Sequence, residues 1–170
     1  MKKGILKVCL TLFVTGLTVA CNQEFGNEDN PVDTLIIPEN PPENFSVSGC
    51  KSSGTRDTRD LFTDETVEYE AREGDFLRIT HNNAIFACHV MQIYAEMSVD
   101  GNTYIIEENA QEYPISADCI CRYDLGYDIG PLSEGKEYTV SIRRGKSEES
   151  EFVRFAFTFS PTIKGQISAK

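Results

Sequence analysis

From Cys50 onward the chain alternates apolar and polar residues with a period of two. Val67, Tyr69 and Ala71 are separated by Glu68 and Glu70; Leu77 and Ile79 flank Arg78. Ile93, Ala95, Met97 and Val99 alternate with Tyr94, Glu96 and Ser98, and Val153, Phe155, Phe157 and Phe159 with Arg154, Ala156 and Thr158. Successive side chains of a strand point to opposite faces, so this pattern predicts strands with one buried face. Further strands are predicted over 103–107, 123–129 and 138–142, with Asp100-Gly101-Asn102 as a hairpin turn, since Gly and Asn tolerate positive φ. No segment carries a helical period. About seven strands at this spacing predict an all-β sandwich.

The first 49 residues follow a different pattern. Lys2, Lys3 and Lys7 precede a short apolar run, Val8–Val14 and Leu17–Val19, and Ala20 stands before Cys21. That run is shorter than the ~20 apolar residues needed to span a bilayer. It reads as an export signal cleaved after residue 20. Thr18-Val19-Ala20-Cys21 resembles the lipobox of bacterial lipoproteins, with Thr18 where Leu is usual. The resemblance implies that Cys21 is lipidated and anchors the chain to a membrane. The alternative is an ordinary signal peptide, with Cys21 a structural cysteine.

Residues 22–49 contain no Lys or Arg but hold six acidic residues and Pro31, Pro38, Pro41 and Pro42. Such a composition predicts a disordered, extended linker. Leu35-Ile36-Ile37 is its one apolar island, suited to joining a sheet edge. The stretch Asn22–Asp29 resembles the acidic export region of Bacteroidetes-type surface lipoproteins, and Asp33-Thr34-Leu35 resembles the O-glycosylation acceptor of that group. The expected organisation is a signal over 1–20, a lipidated linker over 21–49, a sandwich over 50–164 and a tail over 165–170.

Tyr123–Ile142 sharpens the fold expectation. Leu132, Gly135 and Tyr138 follow a strand and open another, and the stretch resembles the E–F region of immunoglobulin-like and fibronectin type III domains. There the Leu packs inward, the Gly turns the chain, and the Tyr hydroxyl bonds back to the backbone. The resemblance implies an immunoglobulin-like sandwich. Two family features are missing: a tryptophan, and the inter-sheet cysteine near the corner. The pattern from Ile85-Phe86-Ala87-Cys88 to Cys119-Ile120-Cys121 also resembles small lipoproteins of gut Bacteroidetes. That resemblance implies an outer-membrane location, facing the periplasm or the outside, and names no activity.

Six cysteines are present. Cys9 leaves with the signal and Cys21 carries lipid. Cys50, Cys88, Cys119 and Cys121 remain, an even number for an oxidising compartment, which predicts two disulfides. Cys88 is expected to bridge to one member of the Cys119-x-Cys121 pair, and Cys50 to the other. The competing reading is a zinc or copper site of Cys88, His89, Cys119 and Cys121; against it, zinc ligands more often follow CxxC spacing. His81-Asn82-Asn83 reads as a bend, with His81 either solvated or a hydrogen-bonded structural residue rather than a general base. Asp118, Asp124, Asp128 and Glu134 lack the spacing of a calcium loop. The tyrosines offer sugar-stacking surfaces but read first as core.

Removing residues 1–20 takes three of the 16 basic residues and none of the 27 acidic ones, leaving a net charge of −14. A surface of that sign repels phosphate backbones, which argues against nucleic-acid binding. No nucleophile–base pair, phosphate-cradling loop or cofactor motif stands in the chain. The expected role is therefore non-enzymatic, a binding or structural module whose loops 81–84 and 109–118 contact a protein or glycan. A metal-handling lipoprotein and an accessory or inhibitor of a glycan-processing system are the alternatives. Cys21→Ser should abolish labelling of the protein by a palmitate analogue in cells; undiminished labelling would contradict lipidation at Cys21.

Overall fold

The computed structural model describes residues 35–51, 53–54, 65–114, 119–145 and 150–169. Ten strands are found among them: β1 Glu43–Val47, β2 Ser53–Gly54, β3 Thr66–Arg72, β4 Phe76–Ala87, β5 Val90–Asp100, β6 Thr103–Glu112, β7 Ile120–Ile129, β8 Glu137–Arg144, β9 Glu151–Thr158 and β10 Lys164–Ser168. No helix among the described residues is long and apolar enough to cross a membrane.

The strands form two sheets in a sandwich-like arrangement. One has the order β1-β7-β4-β3-β10, with β2 also paired to β7; the other has the order β5-β6-β8-β9. The pairs are antiparallel except β6 with β8, which run parallel from Thr103↔Thr139 to Glu108↔Arg144. The intervening β7 lies in the opposite sheet, so the chain crosses the sandwich and returns in the same direction. The β5–β6 turn holds β8 in register: Asn102 accepts a bond from the Thr139 N–H at 3.0 Å and donates its amide to the Glu137 carbonyl at 3.1 Å.

The predicted alternation becomes the two inner faces. Leu77, Ile79, Leu125, Tyr127 and Ile129 project from the first sheet; Ile106, Val140, Ile142, Val153 and Phe157 project from the second. Aromatic rings replace the missing tryptophan. Tyr69 stacks on Phe155 at 4.9 Å between centroids, and Tyr138 on Phe157 at 5.9 Å. Leu132 is buried, Gly135 has φ +76°, and the Tyr138 hydroxyl accepts the Ser133 N–H at 2.8 Å.

Several boundaries differ from the sequence expectation. The linker's last residues already form β1, paired with β7, and the expected tail contains most of β10, paired with β3. Both are edge strands with mostly polar sequences, held by backbone bonds and by a single apolar side chain each, Phe45 and Ile167, packed against the core. Residues 109–112 complete β6 instead of opening a loop. The Leu35–Ile37 island lies beside β5 and β6 through side-chain amides: Gln92 donates to the Ile36 carbonyl and Gln111 accepts the Ile36 N–H. One backbone bond follows, from the Met97 N–H to the Asn40 carbonyl at 2.8 Å.

The cysteines pair as Cys50–Cys121 and Cys88–Cys119, with Cα separations of 5.5 and 5.6 Å. The first fastens the chain before β2 to β7; the second joins the end of β4 to the start of β7. At the Tyr138 corner, Tyr138→Phe should cost about 0.5–1.5 kcal/mol in urea unfolding, and Leu132→Ala about 2–5 kcal/mol. Parent-like stability of both variants would show that the corner bears no load.

Candidate functional site

Titratable side chains meet between the sheets. His81 and Glu108 are completely buried, and Glu65 nearly so. His81 Nδ1 lies 2.9 and 3.1 Å from the two Glu108 carboxylate oxygens. Its Nε2 lies 3.0 Å from Glu65 Oε1, within ion-pair range but without hydrogen-bond alignment. The Tyr127 hydroxyl donates to Glu108 Oε1 at 3.1 Å. Arg144 donates to Glu65 and lies over the Phe152 ring at 4.8 Å, and Phe152 in turn stacks on His81 at 5.0 Å.

Strand phase puts these residues there. His81 follows Leu77 and Ile79 at even spacing on β4; Glu108 follows Tyr104 and Ile106 on β6. Tyr127 shares the inner face of β7 with Leu125 and Ile129, and Arg144 follows Val140 and Ile142 on β8. Glu65 precedes Val67 in the same way. The cluster therefore spans both sheets, with Glu65, His81 and Tyr127 on one side and Glu108 and Arg144 on the other.

The expected bend at His81-Asn82-Asn83 is corrected by this geometry, and of the two expected states of His81, solvated or hydrogen-bonded, the second is found. The segment is a β-bulge inside β4: Asn82 and Asn83 face the single residue Asp124, between the pairs His81↔Leu125 and Ala84↔Tyr123. Asn83 takes φ +58°, a conformation Asn tolerates. The Asp124 carboxylate accepts the Asn83 N–H at 3.1 Å and Lys51 Nζ at 2.9 Å, closing the bulge from outside. His81 stays on the inner face, and the extra residue returns Ala84 and Phe86 to that face.

The cluster sets two carboxylates against hydrogen-bond donors inside the sandwich. An ionised carboxylate can only accept hydrogen bonds. Facing the carboxylates are the Arg144 guanidinium, the His81 ring and the Tyr127 hydroxyl. Burial, then the Glu108 charge and its hydrogen bond, raises the Tyr127 phenol well above the ordinary tyrosine value. Burial draws the Arg144 guanidinium down to about 10. The complete burial of His81 and Glu108 gives a substrate no approach to either.

Two other groupings are accessible. On the outer face of the first sheet, concavities of about 500 and 630 Å³ adjoin at Arg78. Glu68, Glu70, Thr80, Lys164 and Gln166 line one; Arg72, Glu73 and Asp128 line the other. The Arg78 guanidinium lies over Gly126, where a Cβ would collide with it. It donates to the Asn44 carbonyl at 2.9 Å, Ser46 Oγ at 2.8 Å and Asp128 at 3.2 Å. Asp124 and Asp128 share this outer face, but each faces its own cation, Lys51 and Arg78. Asp118, the remaining expected acid of the linking segment, lies outside the described residues.

The second grouping is Cys88, His89 and Cys119, whose ligand atoms lie within 4.8 Å of one another. Of the four residues in the expected metal set, Cys121 stands apart through its bond to Cys50. His89 Nε2 lies 3.1 Å from Glu112. Cys21 and the signal lie outside the described residues. The chain matches no known family model, no curated protein and no solved structure.

Removing one member of a buried ion pair leaves the other uncompensated, so Glu108→Ala should lose about 3–5 kcal/mol in urea unfolding. A loss below 1 kcal/mol would deny Glu108 that role. The phenol supplies a pH signature. Above about pH 10 the unfolded tyrosine ionises while Tyr127 remains protonated in the fold. Folded chains then bind more protons, so stability falls as pH rises. Tyr127→Phe should shrink the stability loss between pH 9 and 11; an unchanged loss would contradict the burial of a neutral phenol.

Proposed function

We propose that this chain is a lipid-anchored envelope protein, held in the outer membrane through Cys21. Its immunoglobulin-like sandwich is a non-enzymatic binding module for a protein or glycan. The lipobox-like signal and acidic, proline-rich tether support the anchoring. Leu132, Gly135 and the Tyr138–Ser133 hydrogen bond support the immunoglobulin-like reading. The parallel β6–β8 pair departs from the all-antiparallel sheets of that class, which makes this a variant topology.

The observation that carries the binding role is the fixed Arg78 at the junction of the two outer concavities. Three neighbours hold its guanidinium, so it presents charge without ordering a flexible side chain on binding. Glu68, Glu70, Lys164 and Gln166 add donors and acceptors around it. Such a surface suits a polar ligand rich in hydroxyl or carboxylate groups. This moves the expected contact surface from loops 81–84 and 109–118 to the outer face of the first sheet.

A pull-down from the producing cell's envelope, paired with a glycan-binding screen, tests the reading. Glu68→Ala/Glu70→Ala/Lys164→Ala changes exposed side chains only and should melt like the parent. It should recover at least tenfold less of the partner the parent retains. Equal recovery would clear this face of a binding role, and turnover of a glycan or peptide by purified protein would overturn the non-enzymatic reading.

A further inference from the structure

We propose that Cys88, Cys119 and His89 form a zinc site that opens when the Cys88–Cys119 disulfide is reduced. The two sulfurs and a His89 ring nitrogen already converge within 4.8 Å. A tetrahedral ion with Zn–S bonds of about 2.3 Å and a Zn–N bond of about 2.0 Å places its ligand atoms roughly 3.5–3.8 Å apart, so the sulfurs part on reduction while the His89 nitrogen is already near. His89 is more than nine-tenths buried, and its Nδ1 has no hydrogen-bond partner among the described residues. An unpartnered buried ring nitrogen is costly unless something binds it. Its other nitrogen faces Glu112, the carboxylate–histidine arrangement that orients metal-binding imidazoles.

The two disulfides differ in access. Cys50 is exposed and its partner Cys121 almost fully buried, whereas Cys88 and Cys119 are both partly exposed. Thiol–disulfide exchange needs an approach to sulfur, and both sulfurs of Cys88–Cys119 offer one to a dithiol reductant. The reductant's two thiols become a disulfide, and its two electrons and two protons convert Cys88 and Cys119 to thiols. Zinc then displaces both thiol protons. Two thiolates and one imidazole leave a fourth position for water or an incoming ligand, the pattern of an open zinc site. Exchange with a disulfide oxidant, which takes up the two electrons and two solvent protons and leaves as two thiols, restores the Cys88–Cys119 bond and releases the ion, so zinc retention reports redox state.

The test uses the full chain with the Cys50–Cys121 bond intact. Limited dithiol reduction followed by mass labelling isolates the fraction in which Cys88 and Cys119 alone have become thiols. The reduced protein should then bind one Co²⁺, used as a spectroscopic stand-in for zinc, with thiolate-to-metal absorption that Zn²⁺ abolishes. The oxidised protein and a Cys88→Ser/Cys119→Ser variant should show no such band. Glu112→Gln, at a half-exposed position, should weaken binding about 10–100-fold. His89→Ala should weaken it at least as much. No metal band in the reduced parent would overturn the proposal, as would unfolding on loss of this one disulfide or binding indifferent to both His89→Ala and Glu112→Gln.

Discussion

The His81–Glu108 contact joins the two sheets at a place where an ordinary sandwich would use apolar side chains. Both residues lie in strand phase with the core, so neither can turn outward without shifting the register of its strand. Each must therefore find its partner inside. Glu108 takes His81 and Tyr127; His81 also faces Glu65; Glu65 is met by Arg144. The polar layer fixes which inner face meets which, because sliding either sheet would leave buried polar groups without their hydrogen-bond partners. Apolar contacts tolerate such sliding far better. A paired buried charge adds less net stability than its Coulomb attraction alone suggests, since desolvation opposes it. Its contribution here lies in the penalty for any arrangement that leaves one member alone.

The bulge in β4 serves the same end. Without an extra residue, the inward phase set by His81 would continue through Asn83, leaving Ala84 and Phe86 directed outward. The Asn82–Asn83 insertion lets one strand present a buried imidazole and, three residues on, a buried apolar run. Lys51 and Asp124 secure it from the solvent side. Outside the sandwich the charges follow a separate logic, with Arg78 held over Gly126 and paired with Asp128. Inward-facing polar groups pair across the sheets, while outward-facing charges pair along the surface of one sheet.

Most central strands were legible in the sequence because period-two burial is a local signal. Val67–Ala71, Ile93–Val99 and Val153–Phe159 carry it openly. The buried polar layer was also present in that signal: counting by twos from Leu77 reaches His81, and from Tyr104 reaches Glu108. Side-chain chemistry argued the other way, since His beside Asn-Asn resembles a solvated bend and consecutive glutamates resemble a surface. Their partners come from the facing sheet, and no local pattern announces them. The parallel β6–β8 pair is non-local for the same reason. β1 and β10 escaped because an edge strand can rest on backbone hydrogen bonds with little apolar patterning. Cys88 and His89 were visible as a candidate pair, but only the fold separates Cys121 from them.

A double-mutant cycle between His81 and Glu108 tests the central claim most directly, using His81→Ala, Glu108→Ala and the double variant in urea unfolding. If the two side chains satisfy one another across the sheets, the double variant loses less stability than the two single losses combined, by about 0.5–3 kcal/mol. Losses that add to within about 0.3 kcal/mol would mean that the residues act independently, and would contradict a polar layer that sets the alignment of the sheets.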